Sequence, residues 1–241
     1  VPTGSHLDPN RIASFVAFLK SMENNRRSEP RWKWASAGFA VLLLATLLFS
    51  ELNRRIDGQW NHPGEWWGLR ATEHNYGEEV RKWSDHYDVS FAYLMALIQL
   101  ESGGRKPAGK RFELHVFNRL KEVQRGSRTN YENVTQADLF EASDEALRNL
   151  ATSWGPFQLM GYKCIILDRQ IRDIRGQDAV RAGVEWIDAT YGGVLRSGNY
   201  KDAFHLHNTG KPFPDSGPPL TFHPDYVIKG IRLMDAHQHK E

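Results

Sequence analysis

The chain has 241 residues, of which 40% are hydrophobic, 12% aromatic and 25% charged, enough apolar mass for a sizeable core. A formal net charge of +2 argues against nucleic acid as the main partner, because phosphate binding needs concentrated Lys and Arg. The single cysteine, Cys164, excludes an internal disulfide and reads as a small buried apolar filler.

In chain order, residues 1–33 form an N-terminal tail whose first six, VPTGSH, resemble a purification-tag remnant. A short amphipathic helix is expected in RIASFVAFLKSME, followed by a basic stretch. Residues 34–50, WASAGFAVLLLATLLFS, carry no charge and no proline. At about 1.5 Å per residue they span about 25 Å, near the lower limit for a bilayer core. Trp32 and Trp34 lie at one end, where interfacial aromatics are found. Arg26, Arg27, Arg31 and Lys33 precede the segment, against Arg54 and Arg55 after it. The positive-inside rule then predicts a transmembrane helix with a cytoplasmic N-terminus, the rest of the chain lying beyond the membrane. A buried core helix or a cleaved signal peptide is the alternative. Residues 51–66 read as a linker and residues 67–241 as one folded domain.

Within that domain the periodicity is helical. Val80, Trp83 and Tyr87 recur at spacings of three and four. SFAYLMALIQLES predicts a strong helix with Asp88 or Ser90 as N-cap. TQADLFEASDEALRNLATSW predicts further helix, its Thr135-Gln-Ala-Asp start resembling a capping box. Helices are also expected in GQDAVRAGVEWIDATYG, YKDAFHLHNTG and HPDYVIKGIRLMDAHQ. RFELHVF alternates apolar and polar residues and reads as a short strand or irregular loop. The expected class is mainly α.

The stretch LMALIQLESGG places an acid at the end of a buried helix. Leu94, Ile98 and Glu101 stack at i, i+4 and i+7, so the carboxyl of Glu101 faces apolar surroundings. Burial disfavours the charged form and raises the pKa from about 4.3 towards neutrality. A carboxylic acid still protonated near neutrality is what glycosidic cleavage needs, because the leaving oxygen must receive a proton. Gly103 and Gly104 then stop the helix. The bland alternative is a solvent-facing glutamate at a frayed end.

YDVSFAYLMALIQLESGG resembles the catalytic helix of the lysozyme-like superfamily, in particular lytic transglycosylases and goose-type lysozymes, whose glutamate and serine correspond here to Glu101 and Ser102. SWGPFQLMGYKC resembles the segment lining the cleft in that superfamily. The resemblance implies that Ser153, Gly155, Gln158 and Met160 border a substrate. AFHLHNTG resembles a further motif, with Asn208 and Gly210 kept and His207 where tyrosine is usual. PDYVIKGIRLM resembles the terminal helix whose tyrosine reaches the acid, here Tyr226. FELHVFNRL together with SWG and QLMGY is similar to the N-acetylmuramidase family of phage and bacterial cell-wall enzymes. The implied fold is a lysozyme-like helical domain, preceded by the single transmembrane helix. The implied activity is cleavage of the β-1,4 bond of peptidoglycan after N-acetylmuramic acid, by a lytic transglycosylase or a muramidase. The span would put the domain in the periplasm or otherwise outside the cytoplasm, where envelope, secretion or phage machinery could be a partner.

Several residues keep two readings. If FELHVF is extended, Glu113 and His115 project to one side and could position a water or bind a sugar hydroxyl. Equally, Glu113 could fix its loop. Gln158 offers amide donor and acceptor to a sugar or braces its own turn. Trp154 is a sugar platform or core, and Asn208 pins a turn or bonds into the cleft. Tyr226 hydrogen-bonds Glu101 and helps hold it protonated, or places its ring in the core. His205 and His207, at i and i+2, cannot meet on a helix. No HExxH motif and no Cys/His cluster occurs, so neither metal nor cofactor is expected. The competing class is a glycan-binding or scaffold module without turnover, which the histidine at position 207 keeps open.

Overall fold

The expected helix around Val80 extends further back than the domain boundary placed at Trp67. In the computed structural model, which describes residues 63–238, helix α1 runs Pro63–Tyr87, so residues 63–66 of the expected linker are helical. The tail, the apolar segment 34–50 and the rest of the linker lie outside the described residues. Among the described residues no helix is long and apolar enough to cross a membrane. Leu69, Thr72, Tyr76, Val80 and Ser84 are buried along α1, a stripe at helical spacing that faces the core. Asp88, with φ 50°, ends the helix and turns the chain.

Helix α2 (Phe91–Ser102) starts at Ser90, whose side chain accepts the Tyr93 N–H at 3.3 Å. Every residue from Ala92 to Gln99 is buried, because α1 packs on one side and the last helix on the other. A helix covered all round has no need of a polar face, which is why this segment reads as nearly continuous apolar sequence.

The expected helix over residues 135–154 is broken into pieces. Thr135 and Asp138 do form a capping box, but its helix α4 (Gln136–Leu139) is a single turn. Ser143 then caps a new helix, α5 (Asp144–Leu150), accepting the Ala146 N–H at 3.2 Å. Thr152–Trp154 is strand β4. Its residues find ladder partners on both sides, in β1 (Arg111–Phe112) and β5 (Leu159–Met160), and that pairing overrides helical propensity. The antiparallel register sets Arg111 opposite Ser153 and Ser153 opposite Met160. A second ribbon, β2 (Asn130–Tyr131) and β3 (Val134–Thr135), turns through Glu132 and Asn133, both at positive φ. Between β1 and β2 lies α3 (Leu114–Gln124).

After β5 come two short helices, α6 (Lys163–Ile166) and α7 (Ile171–Arg175), then α8 (Ala179–Arg196), which is kinked at Tyr191, φ −145°. Gly183 lets α8 lie directly on Phe157; a Cβ there would meet the ring at 2.2 Å. Helices α9 (Tyr200–Thr209) and α10 (Tyr226–Gln238) complete the described residues, with α10 packed against α2. Cys164 is buried, and burial pushes its thiol up to about 11, as expected of an inert filler. The described fold is mainly α with a small sheet.

Candidate active site

The carboxyl of Glu101 is positioned by the way α2 stops. Gly103 takes the left-handed conformation, φ 64°, and its N–H returns to the Gln99 carbonyl at 3.0 Å. Gly104 follows at φ 70°, flush against α1: a Cβ on it would lie 2.2 Å from Thr72 Oγ1 and 2.5 Å from Thr72 N. Asn75 Nδ2 donates to the Gly104 carbonyl at 2.8 Å and Tyr76 hydroxyl to that of Arg105 at 2.6 Å. The last turn of α2 is thereby tied to α1, and Glu101 is left facing the start of α10.

There Tyr226, itself buried, donates its hydroxyl hydrogen to Glu101 Oε1. Burial raises the carboxyl, while the Tyr226 hydrogen bond, contrary to the expectation that it holds the acid protonated, and the Arg111 guanidinium lower it; burial wins and Glu101 is pushed up to about 6. Burial and the adjacent carboxylate in turn push Tyr226 well above the usual phenol range, so it remains a donor. Asn208, exposed at the end of α9, hydrogen-bonds the same phenol. Glu101 is half-buried, neither the frayed solvent-facing acid nor a fully sealed one.

Behind this pair runs a polar chain that sequence reasoning missed. Tyr93, fully buried on α2, has its hydroxyl 3.2 Å from that of Tyr191 and 3.2 Å from the Ala203 carbonyl. The Tyr191 hydroxyl lies 2.8 Å from His207 Nδ1, and His207 Nε2 lies 3.2 Å from the Phe157 carbonyl. A carbonyl only accepts, so Nε2 carries the hydrogen and Nδ1 accepts from Tyr191. His207 is therefore neutral, and burial, aided by Lys163, pushes it down to about 3. His207 thus braces the side chains behind the pair. His205 is occupied elsewhere, with Nδ1 at 2.7 Å from the Lys211 carbonyl and Nε2 accepting the Leu220 N–H at 3.0 Å. Among the described residues no group of three or more possible metal ligands occurs.

On the sheet side the extended reading of FELHVF needs correction. The strand stops at Phe112, Glu113 stands at the N-cap position of α3, and His115 is already helical. The two still meet, His115 Nδ1 lying 3.6 Å from Glu113 Oε2. Arg111 Nε approaches Glu113 Oε1 to 2.5 Å, off the line of a hydrogen bond, and its charge also reaches Glu101. The charge of Arg111 thus acts on both carboxylates, a role that nothing in KRFELHVF signals.

Other expected contacts turn inward. Ser102 is buried and donates its hydroxyl to the Ile98 carbonyl at 2.9 Å, serving its own helix. The Ser153 hydroxyl lies 3.0 Å from Gln158 Oε1 and 3.3 Å from the Arg111 carbonyl. Gln158 Nε2 donates to the carbonyls of Gly109 at 2.8 Å and Gly155 at 3.0 Å. The amide therefore straps the loop after α2 to the β4–β5 turn, the bracing role among its two readings. Trp154 spends its N–H on the Asn149 carbonyl at 2.9 Å and lies half-buried, with Lys110 and Arg175 over its ring. Met160 is half-buried opposite Ser153, and Gly155, φ 72°, makes the turn. A cavity of about 550 Å³ flanks the other side of α2, lined among others by Trp67, Gln99, Gly103 and Leu233 but not by Glu101.

Removing the phenol hydroxyl separates the effects on the acid. Tyr226→Phe takes away a bond that favours the carboxylate, so Glu101 keeps its proton to higher pH. The alkaline limb of a pH–rate profile moves up, while kcat falls about tenfold for one lost hydrogen bond. An unmoved limb would show that the phenol does not act on the ionisation of Glu101.

No family model matches the chain, and no curated protein does. Among solved structures, the crystal structure of Burkholderia AP3 phage endolysin is similar at 19% identity over 68% of this chain and 70% of that one, with a TM-score of 0.47. Geometry within the chain therefore carries the functional reading.

Proposed function

We propose that the chain is a peptidoglycan-cleaving glycosidase acting on the β-1,4 bond between N-acetylmuramic acid and N-acetylglucosamine, with Glu101 as general acid and then base. The observation that carries the reading is a half-buried carboxyl pushed up to about 6 and held in place by a buried phenol. Below that pH the carboxylic acid protonates the bridging oxygen as the sugar develops positive charge at C1. The carboxylate left behind takes the proton of the incoming nucleophile. Above that pH the acid is lost, and activity falls with a limb set by Glu101.

The nucleophile decides between two enzymes. Closure by the sugar's own C6 hydroxyl needs only Glu101 and leaves a 1,6-anhydro end. Hydrolysis needs a placed water, for which Glu113 is the available second carboxylate. The Arg111 contact holds Glu113 as an ion-paired loop anchor, which favours the single-acid route. Mass spectrometry of digests of purified peptidoglycan tests this. Anhydro-muramic ends are expected, whereas reducing muramic ends would make the protein a muramidase. The proposal includes a tether through residues 34–50 and a catalytic domain outside the cytoplasm, where the glycan lies.

A further inference from the structure

Helix α1 opens with a stripe of small residues, and the cavity of about 550 Å³ beside α2 lies along it. Gly64, Gly68 and Ala71 line the cavity from α1, Lys229 and Leu233 from α10, and Arg105 from the loop after α2. Side chains that small leave a groove unfilled, with the buried Gln99 and Leu233 as its floor. Trp67 lies in the same stripe yet is 66% exposed. Trp66 packs edge-on to it with ring centroids 4.9 Å apart, and the Arg70 guanidinium lies 5.0 Å over the Trp66 ring. On α10, Ile228 stands next to Lys229 and is 74% exposed.

The charge on this face has one sign. None of the described residues lining the groove is acidic, and the exposed acids one turn away, Glu73 and Asp225, do not line it. Arg105 Nε donates to the Ser102 carbonyl at 3.1 Å. Among the described residues no carboxylate comes within ion-pair range of Arg70, Arg105 or Lys229. Cations interleaved with exposed indole and aliphatic side chains fit a surface that is anionic outside and apolar beneath, which is the headgroup layer of a membrane. Chain order points the same way. In the proposed tether only residues 51–62 separate the apolar segment 34–50 from Pro63, and a stretch of that length reaches at most about 40 Å. A face tethered so closely meets the bilayer at high effective concentration, so weak contacts suffice.

We infer that the face formed by Trp66, Trp67, Arg70, Arg105, Ile228 and Lys229 docks on anionic phospholipid. The inference rests on the tether proposed above and goes beyond it, because the domain is then oriented as well as anchored. The indoles and Ile228 enter the headgroup layer, and the three cations meet lipid phosphates. Gly103 and Arg105 follow the turn that carries Glu101, so docking fixes the height of the acid over the bilayer and confines cutting to strands at that height.

The test uses the full chain with Ile228→Cys carrying an environment-sensitive fluorophore. It is reconstituted in vesicles of phosphatidylcholine alone, or of phosphatidylcholine mixed equally with phosphatidylglycerol. Cys164, buried and with its thiol pushed up to about 11, stays unlabelled. The label is expected to brighten in the mixed vesicles only, and to dim as added salt screens the surface. Arg70→Gln and Lys229→Gln are each expected to lower the docked-to-free ratio about fivefold. A label at Leu114→Cys, exposed on α3, is expected not to respond. Equal brightness in the two lipid compositions overturns docking. So does an equal response from both label positions, or a response indifferent to salt and to both glutamine variants. Should one glutamine variant not fold, the other and the salt series decide. Brightening by glycan strands added to the neutral vesicles would make the groove a sugar site and overturn the lipid assignment. Flotation separates the two proposals. A full chain that does not float with neutral vesicles overturns the tether, whereas one that floats while its label ignores anionic lipid overturns docking alone.

Discussion

Glu101→Gln lowers kcat on purified peptidoglycan by about 10²–10⁴-fold, the usual contribution of a positioned general acid. The amide has the shape of the acid and its oxygen still accepts from Tyr226, so the fold and the strand-binding surface are kept. What is lost is the transferable proton. Because burial penalises the carboxylate, replacing it with a neutral amide leaves thermal stability unchanged or slightly raised at neutral pH. Zymography with both proteins gives the answer. Clearing by the wild type alone is expected; equal clearing would remove Glu101 from its role, and clearing by neither would favour a binding module without turnover.

Gly104→Ala costs about 2–5 kcal/mol of stability. Two sources combine: the left-handed conformation disfavours a side chain by about 1–2 kcal/mol, and overlap with a packed neighbour costs about 1–3 kcal/mol. The neighbour here includes the backbone nitrogen of Thr72, which cannot rotate away. For a domain of this size, thermal unfolding followed by circular dichroism should show a midpoint lower by about 5–15 °C. Gly103→Ala is the internal comparison. Its φ of 64° imposes the conformational cost, but a Cβ there meets nothing within 4 Å, so the drop is smaller. Equal drops at the two positions would show that the α1–α2 contact is not what the second glycine serves. Gly104→Ala also displaces the end of α2, and its activity falls further than its stability predicts.

The parts of this arrangement that were legible in the sequence are local ones. Helix α2, its cap at Ser90 and its glycine stop are read from neighbouring residues, and so is the direction of Glu101 into apolar surroundings. The box at Thr135 and Asp138 was equally visible, although it caps a single turn. The sheet was not legible. Strands of two or three residues have no measurable period, and Thr152–Trp154 is a strand because of partners in β1, some forty residues upstream, and in β5. Glu113 was misplaced for the same reason: one residue decides whether the strand continues or a helix begins. Gln158 and Ser102 stand out in the sequence only through the resemblance of their motifs. Their hydrogen bonds go to Gly109 and Ile98, and such a partner cannot be read from a motif. Arg111 and Tyr93 gave no signal, since a lone cation or phenol has meaning only once its neighbours are known.

The neutral histidine in the wall has a consequence for how the protein responds to acidity. Because His207 is held down to about 3 by its enclosure, it gains no charge across the physiological range and competes with nothing for protons there. His207 then adds no second ionisation to the falling branch of the rate curve. Where an ordinary imidazole would add a second titration near neutrality, this one acts as an insulator beside the acid.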